Sequence, residues 1–213
     1  MQGRIALFLH QPYCSVQSGN GIMRALSPHY TFKIFTRHNL ERDFFDDVDM
    51  ICFPGGLGDA DKFSMMMREH ADTIRKFVAR GGAYLGICMG AYWAGKEFFN
   101  ILHGLDAVQY IKQPTADTRR PHPKNIDVHW NGVAKQMYFY DGCTFTGHGK
   151  HDTVATYANG QPMAIIQNRI GLIGCHPESE AHWYTTPSWM QGKYHNGKDH
   201  KLLLQFVNTL IKN

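Results

Sequence analysis

The stretch of sequence that decides the fold reads Gly81-Gly82-Ala83-Tyr84-Leu85-Gly86-Ile87-Cys88-Met89-Gly90-Ala91-Tyr92-Trp93-Ala94-Gly95. It joins a short apolar strand directly to a helix that begins at Met89, with a Gly-x-Cys-x-Gly pattern at the junction. A nucleophile on such a tight turn has strained backbone angles, and small residues two positions before and after it avoid clashes. The pattern indicates a nucleophile elbow with Cys88 at its tip, although a buried core cysteine beside a glycine-rich turn has the same local sequence.

Strands and helices alternate on both sides of this elbow. In the first half, apolar runs predict strands at 5–9, 30–35, 50–53 and 83–87, and helical spacing predicts helices at 22–26, at 63–80 and from 89 onward. In the second half, we expect strands at 137–140, 153–157, 163–167 and 170–175, several of them antiparallel, and a closing helix at 202–211. Alternating strands and helices indicate a mostly parallel sheet covered on both faces. We therefore expect one α/β domain over residues 1–213.

The composition is that of a globular protein, with 43% hydrophobic and 19% charged residues. The longest apolar runs are far short of the roughly 20 residues of a membrane helix. The N-terminal apolar run is also shorter than the core of a signal peptide, which is about 7–15 residues. Basic residues are scattered, and the net charge is only +4. We therefore expect a protein that binds neither membranes nor nucleic acid.

The cysteines and histidines do not follow the spacings of structural metal sites. The five cysteines contain no CxxC pair, which disfavours a disulfide framework or a zinc ribbon. Reduced thiols predict a cytoplasmic protein. The 13 histidines lack the spacing typical of zinc ligands, and neither a phosphate loop nor GxGxxG is present. We expect no metal and no cofactor.

A histidine and an acid follow the predicted strand at 170–175, in the order His176-Pro177-Glu178. A cysteine nucleophile needs a histidine to take its proton, and that histidine needs a third group to hold its ring. Pro177 keeps the residue before it extended, so both side chains project in a similar direction. Alone, the motif is more often a surface turn with a solvated acid. Together with the elbow, it predicts a triad of Cys88, His176 and Glu178.

Backbone N–H groups near Cys88 are the expected stabilisers of an oxyanion. One comes from Met89, directly after the nucleophile, and the other comes from Gly56, at the end of the neighbouring strand. Glycine lets the backbone approach a substrate closely, so we also expect Gly55 to border the substrate pocket. Asp141 follows an aromatic strand and is a further candidate for the pocket wall.

Three motifs together resemble class I glutamine amidotransferase domains: Phe53-Pro54-Gly55-Gly56, Gly86-Ile87-Cys88-Met89-Gly90 and His176-Pro177-Glu178. The resemblance is closest to the biotin-protein ligase N-terminal-like branch, because the elbow continues as Ala91-Tyr92-Trp93-Ala94 and residues 15–21, 138–145 and 153–167 also match that branch. It spans nearly the whole chain, except for about 183–199. It implies a flavodoxin-like three-layer αβα sandwich and a Cys-His-Glu triad.

One residue departs from the glutamine-hydrolysing pattern. Such domains usually carry Gln four residues after the cysteine, and Tyr92 stands at that position in this chain. Tyrosine is bulkier and lacks the amide hydrogen bonds, so a pocket that includes Tyr92 puts glutamine in doubt as the substrate. The 213 residues also contain no synthetase domain, so use of the ammonia would require a synthetase or ligase partner protein.

The sequence therefore predicts a cysteine-dependent amidohydrolase or amidotransferase-like protein that acts on a small-molecule amide. Two alternatives stay open. The first is a non-catalytic binding or regulatory module on the same fold. The second is a cysteine hydrolase of the DJ-1/PfpI kind, which Met89 counts against because His usually follows the cysteine there. The oligomeric state is left open, a homo-oligomer included.

Overall fold

A computed structural model of the chain describes residues 2–41, 43–57 and 59–212. The strands are β1 (Arg4–Phe8), β2 (Thr31–Phe35), β3 (Met50–Phe53), β4 (Ala83–Ile87), β5 (Leu105–Gln109), β6 (Lys124–Trp130), β7 (Val133–Phe139), β8 (Cys143–Gly147), β9 (Asp152–Tyr157), β10 (Pro162–Gln167) and β11 (Ile170–Ile173). The α-helices are α1 (Val16–Leu26), α2 (Ala60–Met66), α3 (Ala71–Ala79), α4 (Met89–Trp93) and α5 (Lys198–Lys212). Short 3-10 turns occupy Arg68–His70, Tyr110–Lys112, Ala181–Tyr184 and Ser188–Met190.

The main sheet has nine strands in the order β2-β1-β3-β4-β11-β10-β9-β6-β7. The first five of these strands run parallel to one another. The other four extend the sheet as antiparallel strands, and β5 pairs with β8 in a separate antiparallel ribbon. The parallel part is the half that carries the nucleophile elbow.

Helices cover both faces of the sheet. Leu7 of β1 packs in one core with Ile22 of α1 and Leu203 of α5. Phe8, the next residue of β1, packs in the opposite core with Trp93 of α4. Successive side chains of a strand point to opposite faces, so a central strand buried on both sides is apolar throughout. The expected flavodoxin-like three-layer αβα arrangement is confirmed.

Helix α1 begins at Val16, six residues earlier than the sequence predicts. The Ser15 hydroxyl caps it by accepting a hydrogen bond from the Ser18 N–H at 3.2 Å. Gly19 and Gly21 therefore lie inside the helix and do not break it. Their function is close packing, because a Cβ on Gly21 would lie 2.1 Å from the Glu178 carbonyl oxygen.

Two other elements differ from the expectation. The predicted helix at 63–80 is divided into α2 and α3, because the backbone leaves the helical region at Met67 (φ −133°). Strand β6, together with β5 and β8, was not predicted. Its turn into β7 is Asn131-Gly132, with both residues at positive φ, which is a hairpin signal visible in the sequence.

In the part of the chain that the structure describes, no helix has the length and apolar character needed to cross a membrane.

Replacing Gly21 with Ala tests the contact between α1 and the Glu178 segment. Alanine favours an isolated helix by roughly 0.5–1 kcal/mol over glycine. The clash with the Glu178 carbonyl should reverse that sign and lower the free energy of unfolding by about 1–3 kcal/mol. Urea denaturation measures the change. Asn20→Ala, at the exposed neighbouring position in the same helix, is the control and should leave stability equal or slightly higher. A Gly21→Ala protein as stable as the control would contradict the packing argument.

Candidate active site

Cys88 occupies the turn between β4 and α4 with φ 48° and ψ −102°. Residues other than glycine rarely adopt this conformation. Its N–H donates to the Ile173 carbonyl at 2.8 Å, which ties the turn to β11. A Cβ on Gly86 would lie 2.4 Å from the Gly90 carbonyl oxygen, and a Cβ on Gly90 would lie 2.1 Å from the Phe53 carbonyl oxygen. The two glycines are thus the residues that let β3, β4 and α4 meet closely enough to form this turn.

His176 and Glu178 follow the end of β11 and are joined by a hydrogen bond. His176 Nδ1 lies 2.8 Å from Glu178 Oε1, and the His176 N–H donates to the Tyr138 carbonyl at 2.9 Å. The Glu178 side chain is fully buried. Its Oε1 also accepts from the Ser18 hydroxyl at 2.6 Å, and Ser18 Oγ in turn accepts from the Gly55 N–H at 2.9 Å. Two elements distant in sequence therefore hold the carboxylate that orients the imidazole.

The charge state of His176 follows from these neighbours. Burial by itself lowers the pKa of the imidazolium. The negative charges of Glu178 and a Cys88 thiolate, with hydrogen bonds to both groups, oppose burial and raise the His176 pKa to about 10. At neutral pH, this pKa keeps the His176 imidazole protonated. The free Nε2–H is then available to protonate another atom in the cleft.

Cys88 and His176 open into one cleft of about 250 Å³. The residues that line it are Ser15, Gln17, Gly55, Gly56, Cys88, Tyr138, Tyr140, His176 and Trp183. The cleft lies at the carboxyl ends of the parallel strands, where open α/β sheets bind ligands. A larger concavity of about 520 Å³ lies elsewhere, among charged side chains around Lys33 and Glu41, and its described lining residues include no Cys, Ser, Thr or His.

Of the two expected oxyanion donors, Gly56 lines the cleft with Cys88, whereas Met89 directly follows Cys88 and is not among the described residues that line the cleft. Gly56 lines the cleft, and its segment is fixed by hydrogen bonds from the Ser15 N–H to the Gly55 carbonyl (2.9 Å) and from the Leu57 N–H to the Tyr13 carbonyl (2.8 Å). Within the described residues, the N–H groups of Gly56 and Met89 donate to no protein acceptor. The Gly56 N–H is therefore unpaired in a residue of the cleft wall, and the Met89 N–H is unpaired at the start of α4 next to Cys88.

Gly55 lies against the predicted base. A Cβ at Gly55 would approach His176 Cε1 to 2.8 Å. A side chain at this position would therefore push against the imidazole, and glycine leaves it in place.

Tyr92 and Asp141, which the sequence places at the pocket, do not line the cleft. The Tyr92 hydroxyl donates to the Asp141 carbonyl at 3.2 Å, and Cys88 Sγ lies 3.9 Å from the same oxygen. The Asp141 carboxylate accepts from the Gln109 amide at 2.7 Å. Burial raises the pKa of Asp141, although the Gln109 hydrogen bond and Lys112 oppose that effect. Both residues therefore contact the cysteine from outside the cleft.

The sequence did not single out Ser18. It lies 160 positions from Glu178, and no local motif links the two residues. Ser15 and Gln17, at the start of α1, line the cleft. Trp183 comes from a segment without periodicity, so its position in the cleft wall left no sequence signal beyond its aromatic character.

The other four cysteines differ from Cys88 in burial. Cys14, Cys52, Cys143 and Cys175 are at most 2% exposed, whereas Cys88 is 7% exposed and opens into the cleft. Burial raises the pKa of the Cys14 thiol to about 12 and holds those of the other three well above the ordinary value. Within residues 2–41, 43–57 and 59–212, no group of three or more His, Cys, Asp or Glu side chains is arranged to hold a metal ion.

Comparisons with known proteins agree with this fold. Residues 13–103 match the family described as biotin-protein ligase, N terminal. That range contains the elbow and the Gly55-Gly56 turn but ends before His176 and Glu178. No curated protein matches the chain.

Several solved structures share the architecture. A glutamine amidotransferase from Thermotoga maritima is 12% identical over all of both chains, with a TM-score of 0.74. PurLQS from Thermotoga maritima is 16% identical over 98% of this chain and 99% of the other, with a TM-score of 0.68. The mmIFT52 N-terminal domain is 10% identical over 99% and 98% of the two chains, with a TM-score of 0.58. At these identities the likeness establishes the fold alone. The family match and these structures confirm the resemblance to the class I glutamine amidotransferase-like superfamily and to its biotin-protein ligase N-terminal branch.

Replacing Glu178 with Gln tests the cause of the raised His176 pKa. The substitution removes the negative charge next to Nδ1, so the pKa of His176 should fall well below 10. Nitrogen chemical shifts of the ring, followed by NMR across a pH series, report this value directly. Glu180→Gln is the matched control, because Glu180 is also buried but pairs with Arg24. An unchanged His176 titration in Glu178→Gln would show that another group sets the pKa.

Proposed function

We propose that this protein is a cysteine-dependent amidohydrolase of the glutamine amidotransferase-like kind, with Cys88, His176 and Glu178 as its triad. One observation carries the proposal. A cysteine held at positive φ opens into the same cleft as a histidine, and Nδ1 of that histidine is hydrogen-bonded to a fully buried carboxylate. A core cysteine needs neither the strained turn nor the oriented imidazole.

The first half of the reaction forms an acyl-enzyme. Cys88 Sγ attacks the carbonyl carbon of the amide, and the C=O electron pair moves to the oxygen. The N–H groups of Gly56 and Met89 donate to that oxyanion. The C–N bond then breaks as the nitrogen takes the proton of His176 Nε2, which leaves a thioester on Cys88 and releases the amine.

The second half returns the enzyme to its starting state. Neutral His176 takes a proton from water as the water oxygen attacks the thioester carbon. The Sγ–C bond breaks, the carboxylic acid leaves, and the thiolate again faces a protonated His176. Glu178 keeps the ring in one orientation through both halves.

The sequence also predicts a possible synthetase or ligase partner and leaves open a non-catalytic binding module. Delivery of a leaving ammonia to a synthetase or ligase partner would apply only if the substrate were a primary amide. A non-catalytic binding module on the same fold is the competing function, and the reactivity of Cys88 separates the two.

Alkylation rates compare the five thiols within one protein. Iodoacetamide at neutral pH should modify Cys88 at least about tenfold faster than the four buried cysteines, because their raised pKa values keep them protonated. Peptide mass spectrometry quantifies each site. His176→Asn should slow alkylation of Cys88 and leave the other sites unchanged. A Cys88 that reacts no faster than Cys52 or Cys175 would favour the binding module.

Acylation by a small acetyl thioester tests the chemistry without any assumption about the natural amine. The wild-type protein should gain one acetyl group on Cys88, seen by intact mass, and then lose it to water. Cys88→Ala should lower turnover by at least about 10³-fold, with the circular dichroism spectrum unchanged. Cys143→Ser is the control for loss of a buried thiol. Turnover that survives in Cys88→Ala would falsify the mechanism.

A further inference from the structure

The cleft wall next to His176 is made of aromatic rings. The Tyr138 ring meets the imidazole edge to face, with centroids 5.8 Å apart, and Trp183 lies 5.5 Å from the same imidazole. Tyr138 and Trp183 also contact each other edge to face at 5.0 Å. All three rings line the cleft, so two aromatic side chains already lie beside the imidazole before a ligand binds. We call Tyr138 and Trp183 the aromatic wall.

Fixed charges are missing from the same surface. Among the described residues that line the cleft, none is Asp, Glu, Lys or Arg. Burial raises the pKa of the Tyr138 hydroxyl to about 12, so this ring is neutral at physiological pH. The His176 imidazolium is already paired with the buried Glu178 carboxylate. A ligand group with a net charge or a zwitterion would lose hydration here without a charged partner.

The position of the aromatic wall relative to His176 Nε2 indicates which part of a substrate contacts the wall. His176 Nδ1 is taken by Glu178, so the proton for the leaving nitrogen comes from Nε2. That nitrogen must come within hydrogen-bond reach of Nε2, about 2.6–3.2 Å. In the proposed mechanism, the carbonyl oxygen accepts from the N–H groups of Gly56 and Met89 and not from His176. Substituents on the leaving nitrogen therefore lie beside the ring of His176 and against Tyr138 and Trp183.

We propose that the substrate is a secondary amide whose leaving amine carries an aromatic or similarly flat, uncharged group that packs on the aromatic wall. This inference rests on the proposed function and specifies its substrate class. Cleavage breaks the C–N bond, transfers the acyl group to Cys88 Sγ and releases the amine with the proton from His176. A primary amide such as glutamine releases ammonia, which leaves the aromatic wall without a contact. Trp183 is a specificity-determining residue in this scheme and takes no part in the bond changes.

Binding to the Cys88→Ala protein measures the preference without turnover. The probes are N-benzylacetamide, N-(cyclohexylmethyl)acetamide and acetamide, which share an acetyl group and differ only in the amine. We expect N-benzylacetamide to bind about three- to tenfold more tightly than the cyclohexylmethyl compound, the range typical of an aromatic contact, and acetamide to bind most weakly. Dissociation constants come from NMR titration. Equal affinity for all three probes would overturn the inference.

Substitutions of Trp183 test whether the aromatic wall causes the preference for the benzyl compound. In the Cys88→Ala background, Trp183→Leu should remove the advantage of the benzyl compound, and Trp183→Phe, which restores a ring, should recover most of it. Trp189→Leu is the matched control, because Trp189 is 56% exposed and its indole N–H donates to the Pro123 carbonyl, outside the cleft. A benzyl preference that survives Trp183→Leu would overturn the role given to Trp183.

The acetyl thioester separates failure of this inference from failure of the proposed function. With Cys88 present, Trp183→Leu should lower kcat/KM for N-benzylacetamide about three- to tenfold through KM. Trp189→Leu, outside the cleft, should leave both this value and acylation by the thioester unchanged. Thioester acylation without a benzyl preference overturns the substrate class and leaves the cysteine chemistry intact. Absence of an acyl-enzyme overturns the proposed function. If the benzyl preference is still observed in that case, the cleft binds the aromatic group but does not cleave the amide, and the inferred substrate class is overturned as well.

Discussion

The arrangement of the site depends on one fully buried carboxylate. Glu178 Oε1 accepts from His176 Nδ1 and from the Ser18 hydroxyl, and Ser18 accepts from the Gly55 N–H. A buried charge without such partners is strongly destabilising. The segment after β11, helix α1 and the turn after β3 must therefore all reach their places before the imidazole is oriented. Gly21 belongs to the same constraint, since only a residue without a Cβ lets α1 approach the Glu178 backbone.

Features set by neighbours in the sequence were predictable, whereas features set by contacts between distant segments were not. The strand, the Cys88 turn and the start of α4 were predictable because Gly86 and Gly90 obey steric rules that act over a few residues. Ser18 was not predictable, because it meets Glu178 only after α1 packs on the end of β11. Tyr92 is the converse case. Its spacing from Cys88 suggested a pocket residue, and the short helix instead directs its hydroxyl to the Asp141 carbonyl.

A shared fold leaves the activity open. Structures with this architecture include a glutamine amidotransferase and the mmIFT52 N-terminal domain, both under 15% identical to this chain. Function in such a case must be argued from the site. In this protein the site has a strained cysteine, an oriented imidazole and a cleft wall with aromatic rings and, among its described residues, no Asp, Glu, Lys or Arg.

The residues that line the cleft differ in how firmly the main sheet holds their backbone. Cys88 and His176 stand at the ends of central strands, where the backbone is tied on both sides by the sheet. Trp183 lies in a short 3-10 turn outside the sheet, and Tyr140 follows the end of an edge strand. Mutation at these two positions would meet little resistance from the core. If the proposed function holds, evolution could change the leaving groups that bind by substituting these two residues one at a time, while Cys88, His176 and Glu178 stay in place.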